Sequence, residues 1–408
     1  MNRLHFLLLP LLLLCLRQAL AQDWPQFLGP TRNGSWHGPN LAQPRPGQDP
    51  LWKHPVGEGF SGPVVAGHHL ILFHRINDRE QIDCLNATNG QPIWTAGYPT
   101  GYRDDFGFDE GPRATPAVAD GRVYTFGADG MLACWDLATG TARWRIDTHT
   151  KYNSDKGFFG RVCSPLVEGG MVLVNLGGER GAGIVAFDAG SGEERWRATE
   201  DDASYASPVA ATLAQKRYAF VLTRSALVCL DPAAGTLLFD YPFRPPIQAS
   251  VTAATPLVID DLLFISASYV TGAALLQFDP KGPKLVWKKQ DVLSNHYATA
   301  VHHQGFLYGY DGRQEQGCNL RCVELRSGQI RWTENRFGAG TLILANDTLL
   351  ILTDKGELIT APATAEAFKP QQRLQILGFE TRAHPALADG LFFARDKRQL
   401  ICLDLRLR

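Results

Sequence analysis

A chain of 408 residues with 45% hydrophobic and 20% charged residues has the makeup of a globular protein, long enough for two or three ordinary domains. Its net charge is −1 with both signs interspersed, so there is no basic stripe to neutralise phosphates and no polybasic membrane patch; nucleic acid is excluded as a partner. The 40 glycines and 25 prolines predict many turns.

Taken in chain order, residues 1–21 read as a signal peptide. Arg3 gives a positive start, Phe6–Leu16 an apolar run too short to span a bilayer, and Ala19-Leu20-Ala21 a small-residue cleavage site, so the mature chain is expected to begin at Gln22. Anchoring through Cys15 is the competing reading, weakened by the bulky Leu14 before it. The expectation is an exported protein, periplasmic or secreted, with no transmembrane segment. Residues 22–50 form an N-terminal extension.

From Leu51 onward a unit of roughly 42 to 53 residues recurs, the period of propeller blades. Its fullest copy joins Thr115-Pro116-Ala117-Val118, Asp120-Gly121, Leu132-Ala133-Cys134-Trp135-Asp136, Thr139-Gly140 and Trp144. Ser/Thr-Pro before apolar residues opens an inner strand, Asp-Gly makes a hairpin turn through the positive φ that glycine tolerates, and Trp closes the unit on an outer strand. Inner strands are expected near Gly62-Pro63, Thr115-Pro116, Ser164-Pro165, Ser207-Pro208, Thr255-Pro256, Thr299-Ala300, Thr341-Leu342 and His384-Pro385. Outer strands carry Trp94, Trp144, Trp196, Phe239, Trp287 and Trp332. The seventh copy is degraded, with Phe368 or Leu374 in the place of Trp. The eighth supplies three strands, and Leu51–Val56, with Trp52, supplies the fourth. The pattern predicts an all-β, eight-bladed propeller of four-stranded antiparallel blades over residues 51–408, closed by pairing of its terminal segments; seven blades and a cap is the alternative. A closed ring of this kind is expected to be a monomer.

Five of the seven cysteines after the leader (Cys84, Cys134, Cys229, Cys322 and Cys402) share one slot on the third strand, which in other copies reads as Ala186 or Gln277. Equivalent slots in separate blades lie too far apart for disulfides, so these read as small apolar core residues.

The recurring Ser/Thr-Pro…Asp-Gly-x-Leu-x-x-Leu-Asp-x-x-Thr-Gly-x-x-x-Trp pattern resembles the pyrroloquinoline-quinone (PQQ) repeat over essentially all of Leu51–Leu405. That repeat occurs in quinoprotein dehydrogenases and in the outer-membrane assembly lipoprotein BamB. The opening Asp23-Trp24-Pro25-Gln26-Phe27-Leu28-Gly29-Pro30 resembles the start of many exported PQQ-repeat-like proteins. The resemblance implies the fold; function has to come from the site.

Ligands of propellers gather at a channel mouth. The longest connection, Thr95–Arg113, carries Asp104, Asp105, Asp109 and Glu110 with Arg103, Arg113 and four aromatics. The resemblance admits PQQ with Ca²⁺ as a cofactor. Asp105, Asp109 and Glu110 are then the candidates for the catalytic base, and Asp104 joins them as a cation ligand. Arg113, Arg161 and Arg382 are candidates to hold the quinone's carboxylates; Tyr152, Tyr205 and Tyr297 could stack on it, and His296 is a further cofactor-binding candidate. His384, at an inner-strand start, reads as a hydrogen-bonded channel residue. No His/Cys cluster has metal-ligand spacing, and there is no Cys-x-x-Cys-His haem site, adjacent Cys-Cys pair, phosphate loop or Gly-x-Ser-x-Gly turn. The favoured function is a non-catalytic binding or protein-interaction platform, for a protein partner or a small polar ligand; the alternative is a PQQ-dependent dehydrogenase of an alcohol or sugar. The loop Gly97–Arg113 is expected at the same mouth as Arg161 and Tyr205. Exchanging Arg113 and Arg161 for Ala should then weaken ligand binding with a modest change in stability.

Overall fold

The computed structural model describes residues 22–407; the leader read at residues 1–21 lies outside them. Eight antiparallel sheets of four strands follow one another along the chain, the seventh extended by a fifth strand. The first blade runs Val64–Ala66, His69–Ile76, Arg79–Asn86 and Pro92–Pro99, and the second Ala117–Ala119, Arg122–Phe126, Met131–Asp136 and Ala142–Asp147. The eighth orders Ala386–Ala388, Leu391–Arg395, Gln399–Asp404 and, from the other end of the chain, Trp52–Pro55. The closing strand pairs Trp52 with Cys402, Lys53 with Ile401, His54 with Leu400 and Pro55 with Gln399. Ring closure therefore leaves the eighth blade with no missing strand.

The repeated residues have packing reasons. Each outer-strand Trp lies against the next blade, where its indole N–H donates to a turn carbonyl: Trp52 to Ala87 at 3.0 Å, Trp94 to Leu137 at 2.8 Å, Trp196 to Pro232 at 3.0 Å and Trp287 to Leu325 at 2.8 Å. The glycine of that turn is the floor under the ring. A Cβ at Gly140 would stand 2.5 Å from the Trp94 indole, and one at Gly235 2.4 Å from that of Trp196, and both glycines hold positive φ. Thr-Gly and Trp recur together because one fits the other across the blade interface. In the degraded seventh blade, Leu374 sits on the outer strand Gln372–Gln375. Phe368 lies before it and packs on Trp332 and Phe337.

The Ser/Thr of the inner-strand signature ties blades at the channel wall. Gly62 N–H donates to Thr115 Oγ1, Thr115 N–H to Ser164 Oγ, Ser164 N–H to Ser207 Oγ and Thr255 N–H to Thr299 Oγ1, at 2.9–3.1 Å. The following proline has no N–H to lose at this strand edge.

Register corrects one reading of the cysteine slot. Cys84, Cys134, Ala186, Cys229 and Cys322 each pair with the outer-strand aromatic, and in the fifth blade the residue paired with Trp287 is Leu275, not Gln277. Two additional residues in the following turn had shifted the Asp used for alignment. All seven described cysteines are free and buried. Burial pushes the Cys84, Cys229 and Cys402 thiols up to about 12. Alkylation of the native protein should be slow at Cys84, Cys134, Cys229, Cys322 and Cys402 and fast after denaturation; peptide mapping that finds most of them labelled in the native state contradicts this packing.

A second buried group makes stability pH-dependent. Glu80 accepts from Tyr98 Oη at 2.6 Å and from Ala128 N–H at 2.8 Å, wholly between the first two blades. Desolvation raises its carboxyl to about 7, against the opposing pull of those two donors. The folded pKa lies above the unfolded one, so the stabilisation is fully present below about pH 4.5 and is lost as pH rises through 7. Glu80→Gln, which keeps both contacts without ionising, should flatten the fall in melting temperature between pH 5 and 8; equal slopes for both proteins would show that Glu80 is ionised throughout.

The N-terminal extension crosses the channel. Trp24 exchanges two backbone hydrogen bonds with Val65, Pro25 O accepts from Val118 N–H, and Ser35–Trp36 runs parallel to the inner strand of the seventh blade. Arg32, 3% exposed, donates to the carbonyls of Ser164, Pro165 and Pro208 and to Gln26 Oε1. Trp24 also stacks on His384 with centroids 6.2 Å apart. The extension thus binds the inner wall of most of the ring and closes the channel from one side.

Candidate functional site

With the channel closed, the open mouth is a cup of about 200 Å³. Its wall follows a rule that the repeat carries. The residue two positions before each inner-strand Ser/Thr-Pro lines the cup in seven of eight blades: Phe60, Arg113, Val162, Tyr205, Ala253, Tyr297 and Arg382. Beneath them lies a layer from the signature position itself, including Thr115, Ser164, Ser207, Thr299 and His384, and Phe27 of the extension. His384 Nδ1 lies 2.9 Å from the carbonyl of Pro385 and Nε2 3.1 Å from that of Leu342; burial lowers its pKa to about 4, so the neutral ring donates to one of the two.

Charge in the cup is one-sided. The Arg113 and Arg382 guanidinium groups lie 5.7 and 5.3 Å from the Phe60 ring centroid, and Lys397 Nζ lies 5.5 Å from it. Arg113 is held by Asp104 at 2.9 Å, by the carbonyl of Phe159 at 2.7 Å and by that of Asp109 at 3.2 Å. Arg382 has no ion-pair partner among the described residues, and its buried Nε reaches no acceptor. Tyr269, His296, Tyr297 and Glu315 line another sector. His296 Nε2 lies 3.3 Å from Tyr269 Oη while Nδ1 has no partner, and burial lowers the imidazole pKa.

The long connection begins at Thr100, because Thr95–Pro99 belong to the outer strand of the first blade. Asp104 organises it. Its carboxylate accepts from the N–H groups of Phe106, Phe108 and Asp109 and from Arg113, and these outweigh burial and hold its pKa below the usual range. None of the three candidate bases lines the cup. Asp105 is half-exposed and pairs with Lys156 at 2.5 Å. Asp109 is buried, accepts from Gly111 N–H at 2.8 Å and lies 3.8 Å from Lys397. Glu110 pairs with Arg75 at 3.4 Å and Arg103 at 3.5 Å. Local cations consume the acidic run.

Of the expected cofactor-binding residues, the cup brings together Arg113, Tyr205, His296, Tyr297 and Arg382. Arg161 lies outside it, lining an adjacent cavity that shares Tyr205 and Val162. Tyr152 is elsewhere: it is buried between the second and third blades, packs on Phe187 and donates to Glu194 at 2.8 Å. The reading missed Phe27, Phe60, Phe159, Tyr269 and Glu315. Phe60 was legible from its place two residues before Gly62-Pro63.

The residues fit one half of a Ca²⁺-quinone site. Two arginines and the rings of Phe60, Phe159 and Tyr205 suit a planar polycarboxylate. Ca²⁺ takes six to eight oxygen ligands, and Glu315 is the one carboxylate lining the cup. Among the described residues no three His, Cys, Asp or Glu side chains are grouped to hold a metal. The cation half does not fit.

Among the described residues no helix is long and apolar enough to cross a membrane. Comparison with known proteins agrees with this architecture. Over 99 residues the chain is 32% identical to the outer membrane protein assembly factor BamB of Xanthomonas campestris pv. campestris, covering 24% of each chain. Over 83 residues it is 35% identical to the quinohemoprotein alcohol dehydrogenase ADH-IIG of Pseudomonas putida, covering 20% of this chain and 11% of that one. The matches thus span about a quarter and a tenth of those relatives. Among solved structures, BamB from Moraxella catarrhalis superposes with a TM-score of 0.65 at 14% identity, covering 88% of this chain and 98% of that one. The quinohemoprotein alcohol dehydrogenase from Comamonas testosteroni gives 0.70 at 14% identity, covering 95% and 81%. At such identities the superpositions speak for the fold. The family model described as outer membrane protein assembly factor BamB matches residues 78–334, well over half of the chain, and the protein belongs to that PQQ-repeat propeller family.

Proposed function

We propose that this protein is an exported, monomeric, non-catalytic binding propeller whose cup engages an anionic group of a ligand or partner protein. The observation that carries the reading is Arg382. A guanidinium without a carboxylate partner, set over an aromatic ring with its Nε unsatisfied, is a charge waiting for an anion. The acidic loop offers it no base, being spent on Arg75, Arg103, Arg113 and Lys156, and Glu315, which lines another sector of the cup, pairs with Arg313 at 3.3 Å. Aromatic walls would take an apolar or planar body attached to the anion.

Calorimetric titration with phthalate, a simple aromatic dicarboxylate, tests this. The wild type should bind one equivalent, and Arg382→Met should weaken binding roughly tenfold or more, the worth of a lost charge-assisted hydrogen bond. The melting temperature should barely move, since Arg382 makes no ion pair. Equal affinity in the variant removes the cup from the account.

The second reading is a PQQ-dependent dehydrogenase, favoured by the arginine pair and by the match to an alcohol dehydrogenase. Bound quinone would supply the redox chemistry, with Arg382 and Arg113 holding its carboxylates. The missing oxygen ligands weigh against it.

A further inference from the structure

The open mouth does not end at the cup. Phe106 and Phe108 stand 55% and 54% exposed on its lip, their ring centroids 5.9 Å apart. Phe106 also packs on Phe158 at 6.1 Å and on Phe159 at 5.4 Å, so the connections that follow the first and second blades meet through their rings. Phe108 and Phe159 in turn line the cup, which makes the exposed patch continuous with it. Nor is the patch loose. The N–H groups of Phe106 and Phe108 both donate to the Asp104 carboxylate, the same one that holds Arg113. Half-exposed aromatic rings on a fixed backbone form a preorganised binding surface.

The mouth also indicates what covers it. At about 200 Å³ the cup is smaller than the roughly 300–1,000 Å³ sites that enclose a drug-sized ligand, so a ligand that also covers the lip enters by one end. The N-terminal extension closes the floor, and a chain that enters has to stop there. That end is negative. Of the charged side chains lining the cup, Arg113 is paired with Asp104 and Glu315 with Arg313, while Lys397 beside them is matched by Glu380 at 3.0 Å. Arg382 is left over: Asp354 feels its charge from beyond ion-pairing distance, and only its Nε is sealed, so both Nη groups stay accessible. Gln314 and Tyr269 on the polar sector suit peptide amide groups, which an alkyl chain lacks.

We propose that the occupant is the C-terminal segment of a partner protein. Its terminal carboxylate accepts from the Arg382 Nη groups, its last side chain lies among the rings of the cup, and an apolar residue before it covers Phe106 and Phe108. This assignment rests on the reading that Arg382 takes an anion.

The test is calorimetric titration of the whole protein with acetyl-Ala-Leu-Ala-Leu, its C-terminal amide, dodecanoate and phthalate. The free acid should bind one equivalent, and the amide at least roughly tenfold more weakly. Arg382→Met should weaken the peptide acid and phthalate alike. Phe106→Ala alters the lip and not the cup, so it should weaken the peptide roughly tenfold and leave phthalate unchanged. If phthalate binds but the peptide acid binds no better than its amide, or equally well to Phe106→Ala, the C-terminal occupant is overturned and the anion-binding cup stands. If neither phthalate nor the peptide binds, both readings fall. Dodecanoate binding more tightly than the peptide would make the occupant a lipid-like acid and likewise overturn the proposal.

Discussion

Excising Leu51–Val56 should abolish cooperative unfolding. That segment supplies the outer strand of the eighth blade, and without it the strand Gln399–Asp404 presents an unpaired edge. Trp52 also leaves a packed site 8% exposed, where its ring covers Gly90 and its N–H reaches Ala87. Loss of a buried Trp alone costs about 3–5 kcal/mol, a large share of the 5–15 kcal/mol by which domains are stable. Circular dichroism melting and light scattering should show a broad, low transition with aggregation. Trp52→Ala, which keeps the strand, should show a lower but still sharp transition. A truncated protein that melts as sharply as the parent would mean that closure does not hold the ring together.

Arg113→Ala should destabilise the fold by about 3–5 kcal/mol, the loss expected when one partner of a buried ion pair is removed. Asp104 would keep its three backbone donors but lose its countercharge, and the carbonyls of Phe159 and Asp109 would lose the guanidinium N–H groups they accept from. The side chains of Arg113 and Asp104 are 10% and 0% exposed, so solvent screens little of this. This revises the expectation from sequence that Arg113 and Arg161 could be removed together with a modest change in stability. Arg161 is buried and Arg113 largely so; both are hydrogen-bonded, and Arg161 holds Leu176 and Ser154. Denaturant unfolding of Arg113→Ala, Asp104→Asn and the double variant measures the coupling. A single-variant loss within experimental error would place the pair at the surface.

The fold was legible because the repeat writes its turn chemistry many times over, with one degraded copy, and each Asp-Gly, Thr-Gly and Trp has a local cause. What failed was register: in the fifth blade a longer turn carried Asp279 out of step, and Gln277 was set where Leu275 belongs. The extension's course was unreadable because its partners, from Val65 to Pro208, are contacts of long sequence separation. The acidic loop drew attention by composition, yet Arg75, which takes up Glu110, lies 35 residues earlier and gave no sign of pairing. The cup was written in plainer form than the loop. Phe60, Arg113, Tyr205, Tyr297 and Arg382 share one place in the repeat, just before the inner strand, and that place lines the cup in seven of the eight blades.

We propose that the cup holds an anion and carries out no redox chemistry of its own. The direct measurement is to incubate purified apo-protein with PQQ and Ca²⁺, record the bound-quinone absorbance, and assay dye-linked oxidation of alcohols and sugars. Any quinone binding should be indifferent to Ca²⁺ and give no substrate-dependent dye reduction, because Asp105, Asp109 and Glu110 do not line the cup and are held in ion pairs or backbone hydrogen bonds, and Glu315, which does line it, pairs with Arg313. Calcium-dependent binding with turnover, lost in Arg382→Met, would contradict it and establish a dehydrogenase.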